Sequence, residues 1–127
     1  MDTSKLRYTA SHEWVSLSGK TARVGITDHA QKEISDVVFV ELPKPGKKVN
    51  AKESVMVVES VKAAFDIYAP MTGTVLRSND KLTMKPELVN QSPFEEGWLY
   101  ELECSDAAQF EKLLTEAQYK ETASKAH

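Results

Sequence analysis

The stretch that most constrains this chain runs from Val57 to Pro70 and reads as strand, turn, strand. Val55-Met56-Val57-Val58 is an unbroken apolar run, the pattern of a buried strand. Asp66-Ile67-Tyr68 alternates polar and apolar up to Pro70, which has no N–H to give a sheet ladder and so ends it. Between them Ser60-Val61-Lys62-Ala63-Ala64 contains neither Gly nor Asn, so the residues that favour a two-residue hairpin loop are missing. The flanking runs alone carry the hairpin expectation, with Lys62 at its tip.

A lone lysine at a hairpin tip is most simply a solvated charge, because lysines are rarely buried. A catalytic amine would need a depressed pKa, from burial or a neighbouring cation. Its neighbours in sequence are Glu59 and Asp66, which favour the charged form instead. The third reading is an attachment point. A primary amine on a four-carbon stem, held out on a turn of small residues, can be acylated by another enzyme and then carry a group on a long tether.

The remaining composition excludes more than it assigns. At 127 residues the chain is long enough to bury a core without disulfides, and 41% hydrophobic with 28% charged residues is ordinary globular usage. With 16 basic and 19 acidic residues, net charge −3, and no basic stretch interleaved with aromatics, a nucleic-acid partner is not expected. No apolar run approaches a membrane span. The single Cys104 reads as a small buried hydrophobe at a strand end. His12, His29 and His127 have no ligand spacing, so no metal centre is expected. The N-terminus has neither a signal core nor transit-peptide character. The chain reads as cytoplasmic, or as a mature mitochondrial-matrix protein whose presequence has been removed.

Along the chain, Tyr8 to Leu17 and Thr21 to Ile26 read as strands joined at Ser18-Gly19-Lys20. Asp28-His29-Ala30-Gln31 has a capping-box pattern with Asp28 as N-cap, opening a helix to about Ile34. Asp36 to Leu42 is a strand. Pro43-Lys44-Pro45-Gly46 and Pro70-Met71-Thr72-Gly73 echo each other: two similar turns, or two strand modules related by a quasi-twofold. Ser78 to Lys81 reads as a turn, Glu87-Leu88-Val89 as a loop or short helix, and Gly97 to Glu103 as the last strand. A second capping box at Asp106 to Gln109 predicts one helix through Ala117, and Thr115 to Gln118 can cap a further turn with Tyr119 packing back. Residues 1–6 and 121–127 read as loose ends.

The Lys62 segment also carries a resemblance. Glu59-Ser60-Val61-Lys62-Ala63, followed by Asp66-Ile67-Tyr68-Ala69-Pro70 and Gly73, resembles the lipoylation site of the H proteins of the glycine cleavage system. His12-Glu13-Trp14-Val15, Val24 to Gln31, Asp36 to Pro43, Pro86 to Asn90 and Gly97-Trp98-Leu99 follow that family's order and spacing, from about Tyr8 to about Tyr119. The resemblance implies a mainly β fold, a flattened barrel-sandwich of two small sheets like a lipoyl domain, with a short internal helix and C-terminal helices. It implies one monomeric carrier domain over residues 1–127.

The resemblance further implies lipoate in amide linkage on Lys62, with Glu59 read by the lipoate ligase or lipoyl transferase that adds it. Glu13, His29 and Asp66 become candidates for a cleft that receives the arm. The implied partners are a pyridoxal-phosphate glycine decarboxylase, which loads an aminomethyl group, an aminomethyltransferase, which passes the carbon to tetrahydrofolate, and dihydrolipoamide dehydrogenase. The chain itself would catalyse no step. Phe65 stands where the family usually has a small residue and could shield the arm. Lys44 and Arg77 replace usual acids, and Ser35 replaces a usual Gly, where a left-handed backbone would strain it. Three other functions compete. One is a lipoyl relay to 2-oxoacid dehydrogenase acyltransferases. Another is a biotin carrier, disfavoured because Val61 and Ala63 rather than methionines flank Lys62. The last is an enzyme using Lys62 as an amine.

Overall fold

A computed structural model describes residues 3–125. After a 3-10 turn at Thr3–Lys5, the elements are β1 Arg7–Tyr8, β2 Glu13–Ser18, β3 Thr21–Ile26, α1 Asp28–Ile34, β4 Val37–Glu41, β5 Lys48–Val49, β6 Ser54–Ser60, β7 Ala64–Tyr68 and β8 Gly73–Ser78. Then follow α2 Lys81–Met84, α3 Leu88–Gln91, β9 Tyr100–Cys104, α4 Ala108–Glu111 and α5 Glu116–Lys125. The strands form two antiparallel sheets, ordered β1-β2-β3-β9-β8-β5 and β4-β6-β7, neither closed on itself. One apolar core joins them, with Val15, Val24 and Leu102 from the larger sheet meeting Val40, Val58 and Ile67 from the smaller. This is the lipoyl-domain-like sandwich expected.

The two Pro–Gly echoes are brought together. Gly46 N–H donates to Val75 O at 2.7 Å and Val75 N–H to Lys47 O at 2.8 Å, and β5 pairs antiparallel with β8. Segments that repeat in sequence thus lie side by side in the larger sheet.

Several local expectations change in the folded chain. Thr27, not Asp28, is the N-cap of α1: its backbone is extended and its hydroxyl accepts the Ala30 N–H. Asp28 lies inside the first turn, where its carboxylate faces the helix's positive end and pairs with Lys32. The single first strand is split, because Thr9 to His12 turns and His12 takes φ 71°. A short helix, α2, forms where only a turn was expected.

The helix expected through Ala117 breaks after Glu111. Leu114 and Tyr8 exchange two backbone hydrogen bonds, 2.8 and 2.9 Å, which an uninterrupted helix could not make. A reciprocal Thr115–Gln118 capping box then starts α5, and Tyr119 stacks on Tyr8 with ring centroids 4.8 Å apart. At the ends read as loose, Leu6 is buried and α5 reaches Lys125; Met1, Asp2, Ala126 and His127 lie outside the described residues. Cys104 is buried at the end of β9, beside Met71.

Arg77, one of the departures from the family pattern, has a local explanation. Its guanidinium and that of Arg23 both bond the largely buried Glu101 carboxylate, and both lie over the Trp98 ring, at 5.6 and 4.4 Å. Burial alone would raise the Glu101 pKa, but the two arginines more than offset it and hold the carboxyl below its ordinary range. Lys44 is exposed in its turn, and nothing in the structure explains it.

Candidate functional site

β6 and β7 form the predicted hairpin, with Val58 opposite Phe65 and Glu59 opposite Ala64. The turn missing from the sequence pattern is made by Ser60. Its N–H donates to Ala63 O at 2.9 Å, and its hydroxyl accepts the N–H groups of Lys62 and Ala63 at 3.2 and 3.3 Å. A serine hydroxyl thus does locally what Gly or Asn does through backbone freedom. Lys62 is exposed at the apex, and no ion pair among the described residues holds its side chain.

The turn is braced from outside. Val61 N–H donates to Asp36 O at 3.0 Å. Asp36 lies between Ser35 and Val37, and Asn90 clamps both: its amide donates to Ser35 O, and its oxygen accepts the Val37 N–H, each at 2.8 Å. The clamp holds Ser35 at φ 70°, ψ −161°, the strained position anticipated for a residue other than glycine. Such a backbone costs on the order of 1–3 kcal/mol and persists only where its surroundings over-determine it. Around the tip Val61, Val38 and Phe39 are exposed, 68%, 53% and 51%. Glu59 projects from the same strand end, also exposed.

Glu13 is nearly inaccessible, 1% exposed. It accepts hydrogen bonds from the Thr9 and Ser11 hydroxyls and the Tyr68 N–H. Burial pushes its carboxyl above the usual range, and these donors only partly counter that. The buried Tyr100 hydroxyl has no hydrogen-bond partner among the described residues, and burial first, then the Glu13 charge, raises its pKa. A group raised in the fold contributes its stability below its unfolded pKa and loses it as pH rises through the folded value. The stability of the wild type relative to Glu13→Gln is therefore expected to fall as pH rises from about 4 toward 7. Urea midpoints at several pH values measure this; a difference that ignores pH would mean that the buried carboxyl carries no penalty for ionising.

Glu13, Asp66 and His29 do not share one cavity. Glu13 borders a recess of about 570 Å³ with Tyr8, Ser11 and Tyr68. Asp66 and Phe65 border a smaller cleft of about 90 Å³ with Ser11, His12 and Glu33. Ser11 lies on both, so the two are adjacent. His29 lines a third recess with Tyr119 and meets the cleft through two of its lining residues, His12, whose ring is 4.5 Å away, and Glu33, 2.9 Å from its Nε2. The half-buried Phe65 ring forms the cleft wall on the strand that descends from Lys62. Sequence reading missed Ser11 and Thr9. The S/T-rich run before Glu13 was their only signal, and it reads equally well as a loop.

Known proteins match both the order of these elements and their sequence. The family model described as "Glycine cleavage H-protein" matches residues 6–126. The chain belongs to the glycine cleavage H-protein family. It is 50% identical over 115 residues to the glycine cleavage system H protein of Thermotoga maritima, covering 91% of this chain and 93% of that one. It is likewise 50% identical over 116 residues to that of Bacillus subtilis, covering 91% of each. The fold is similar to the crystal structure of a glycine cleavage system H protein from Mycobacterium marinum, with TM-score 0.87, 33% identity and 95% and 98% coverage.

An H protein is the lipoyl carrier of glycine cleavage and is not itself an enzyme, so its partners lie within that system. The relatives' names give this role and do not favour a separate lipoyl relay. Among the described residues no helix is long and apolar enough to cross a membrane.

Proposed function

We propose that Lys62 is the residue that carries the lipoyl group of this H protein. The observation that supports this most is its position: an exposed primary amine at the apex of a hairpin whose backbone is satisfied by Ser60 and braced through Asp36 and Asn90. The residues fit the group. Among the described residues no ion pair holds the amine, and Val61, Lys62 and Ala63 are all exposed. When bound, lipoate supplies a dithiolane that can be reduced, loaded and reoxidised. The protein's share is presentation: a rigid hairpin sets where the tether starts, and tethering raises the effective concentration at each partner site to the mM range, roughly, for a short flexible link.

In this reading Glu59 and the exposed Val38, Phe39 and Val61 meet the lipoate ligase or lipoyl transferase. Glu13 and Asp66, with Ser11 between, line the resting place of the arm's head, and Phe65 walls it from water. His29 supports that wall from behind, through His12. The partners are glycine decarboxylase, the aminomethyltransferase and dihydrolipoamide dehydrogenase, in a cytoplasmic setting, with the carrier a monomer.

Intact mass after incubation with a lipoate ligase, lipoate and ATP tests the attachment. One lipoyl increment on the wild type and none on Lys62→Arg is expected; an increment on both would move the site elsewhere. Ser60→Ala tests positioning. It removes the acceptor for two N–H groups, a loss of about 1 kcal/mol of turn stability. Ligase kcat/KM should then fall by several-fold while the final extent of modification stays complete. An unchanged kcat/KM would show that the ligase imposes its own turn geometry.

A further inference from the structure

We propose that His12, His29 and Glu33 form a binding site for a divalent transition-metal ion of the zinc class. Each offers one ligand atom, and these atoms lie within 4.8 Å of one another. His29 and Glu33 are four apart on α1, the spacing that sets two side chains on one helix face. His12 comes from the Thr9–His12 turn, whose positive φ turns the imidazole against His29. A left-handed non-glycine residue is costly and tends to mark a functional site.

Two independent features point to a ligand. The first is His29 Nε2, which is shielded from water and makes no hydrogen bond. It stands 2.9 Å from Glu33 Oε1, a pairing distance without hydrogen-bond alignment. An ion between the two groups would satisfy both. The second is the outer support of His12. Its Nδ1 lies 2.6 Å from the Tyr119 hydroxyl, itself 2.7 Å from Thr27 Oγ1. With Nδ1–H donating to Tyr119, Nε2 keeps its lone pair. Metal-bound histidines are oriented in this way, the second ring nitrogen being fixed by a neighbouring acceptor.

The donor set selects the ion. Two imidazoles and one carboxylate suit zinc, nickel or copper and are poor for magnesium or calcium, which take oxygen ligands. Ligands of a tetrahedral zinc at about 2.0–2.1 Å stand about 3.3 Å apart, so His29 and Glu33, 2.9 Å apart, open slightly while His12 moves in. A fourth position is left open. His12 and Glu33 also line the cleft that Phe65 and Asp66 border, so the open position lies beside it. Sequence spacing concealed the site, because its ligands are 17 residues apart and meet only when the Thr9–His12 turn packs on α1.

The test is calorimetric titration of the untagged, chelator-stripped full chain with zinc chloride, beside magnesium chloride. Saturable uptake of one zinc per chain is expected, with no response to magnesium. His29→Ala and Glu33→Gln should each weaken zinc binding at least about 10-fold. Both side chains are partly exposed on α1, so the circular dichroism of the variants should match the wild type. Cobalt substituted for zinc should give the intense visible bands of a four-coordinate ion in the wild type and lose them in both variants. No saturable zinc uptake by the wild type overturns the proposal. So does uptake that both variants retain in full, which would assign the ion to other surface groups.

Discussion

Lys62→Arg is expected to reduce carbon transfer from glycine, in a system reconstituted with the partner enzymes, to the level seen with no carrier at all. Arginine keeps the charge and most of the stem, but its guanidinium stays protonated above any usable pH and is not acylated as an amine is. The fold should not register the change. Lys62 is exposed, its side chain is in no ion pair among the described residues, and the turn is held by Ser60 rather than by the lysine. Surface changes of this kind usually stay within about 0.5 kcal/mol. Complete loss of function with an unchanged urea midpoint is therefore the expected pair of readings. Residual transfer well above the no-carrier level would sink the assignment of Lys62 as the carrier residue, whatever its stability.

The largest stability effect is expected at Trp14. Its ring is fully buried, its Nε1–H donates to Pro93 O at 3.0 Å, and Phe94 stacks beside it at 6.1 Å. Gly25, its partner across β2 and β3, exists to make room: a Cβ there would come within 2.5 Å of the indole carbons. Trp14→Ala should cost about 4 kcal/mol, since it removes the whole ring from a cluster with Leu6, Tyr8 and Tyr119 that cannot collapse around the space. With a slope of about 1–3 kcal/mol per molar urea, the midpoint should fall by about 2 M. Domains of this size hold only about 5–15 kcal/mol in total, so the variant would sit close to unfolding. A loss under about 1 kcal/mol would mean that this cluster contributes little to the fold. Trp14 follows Glu13 on β2, so the same packing that stabilises the molecule also fixes where the buried carboxyl points.

The difference between these two residues explains what sequence reading could reach. Lys62 is a property of one short segment: its flanking strands, its small neighbours and its family-like spacing lie within 20 residues. Trp14 was legible only as part of the His12-Glu13-Trp14-Val15 motif, and its reliance on Gly25 required the register of β2 on β3. Glu13 shows the limit most clearly. On the chain it is a carboxylate beside a histidine and equally suited to solvent. In the fold, three donors surround it and it is buried.

By itself, the sequence determined the hairpin and its lysine, the positions of most strands, the helix from Asp28 to Ile34, the family and therefore the carrier role. These rest on local alternation and motif order, which hold in the fold, whereas the capping pattern placed the helix but not its cap, which is Thr27 rather than Asp28. Only the tertiary structure decided the break at Leu114, the bracing of the Lys62 turn by Asn90, the division of Glu13, Asp66 and His29 among neighbouring recesses, and the meeting of His12 with His29. Each depends on residues distant along the chain. A backbone exchange between Leu114 and Tyr8 overrides helix propensity because it satisfies buried peptide groups that a helix would leave unpaired. Periodicity records which face of an element is buried, but not what will pack against it.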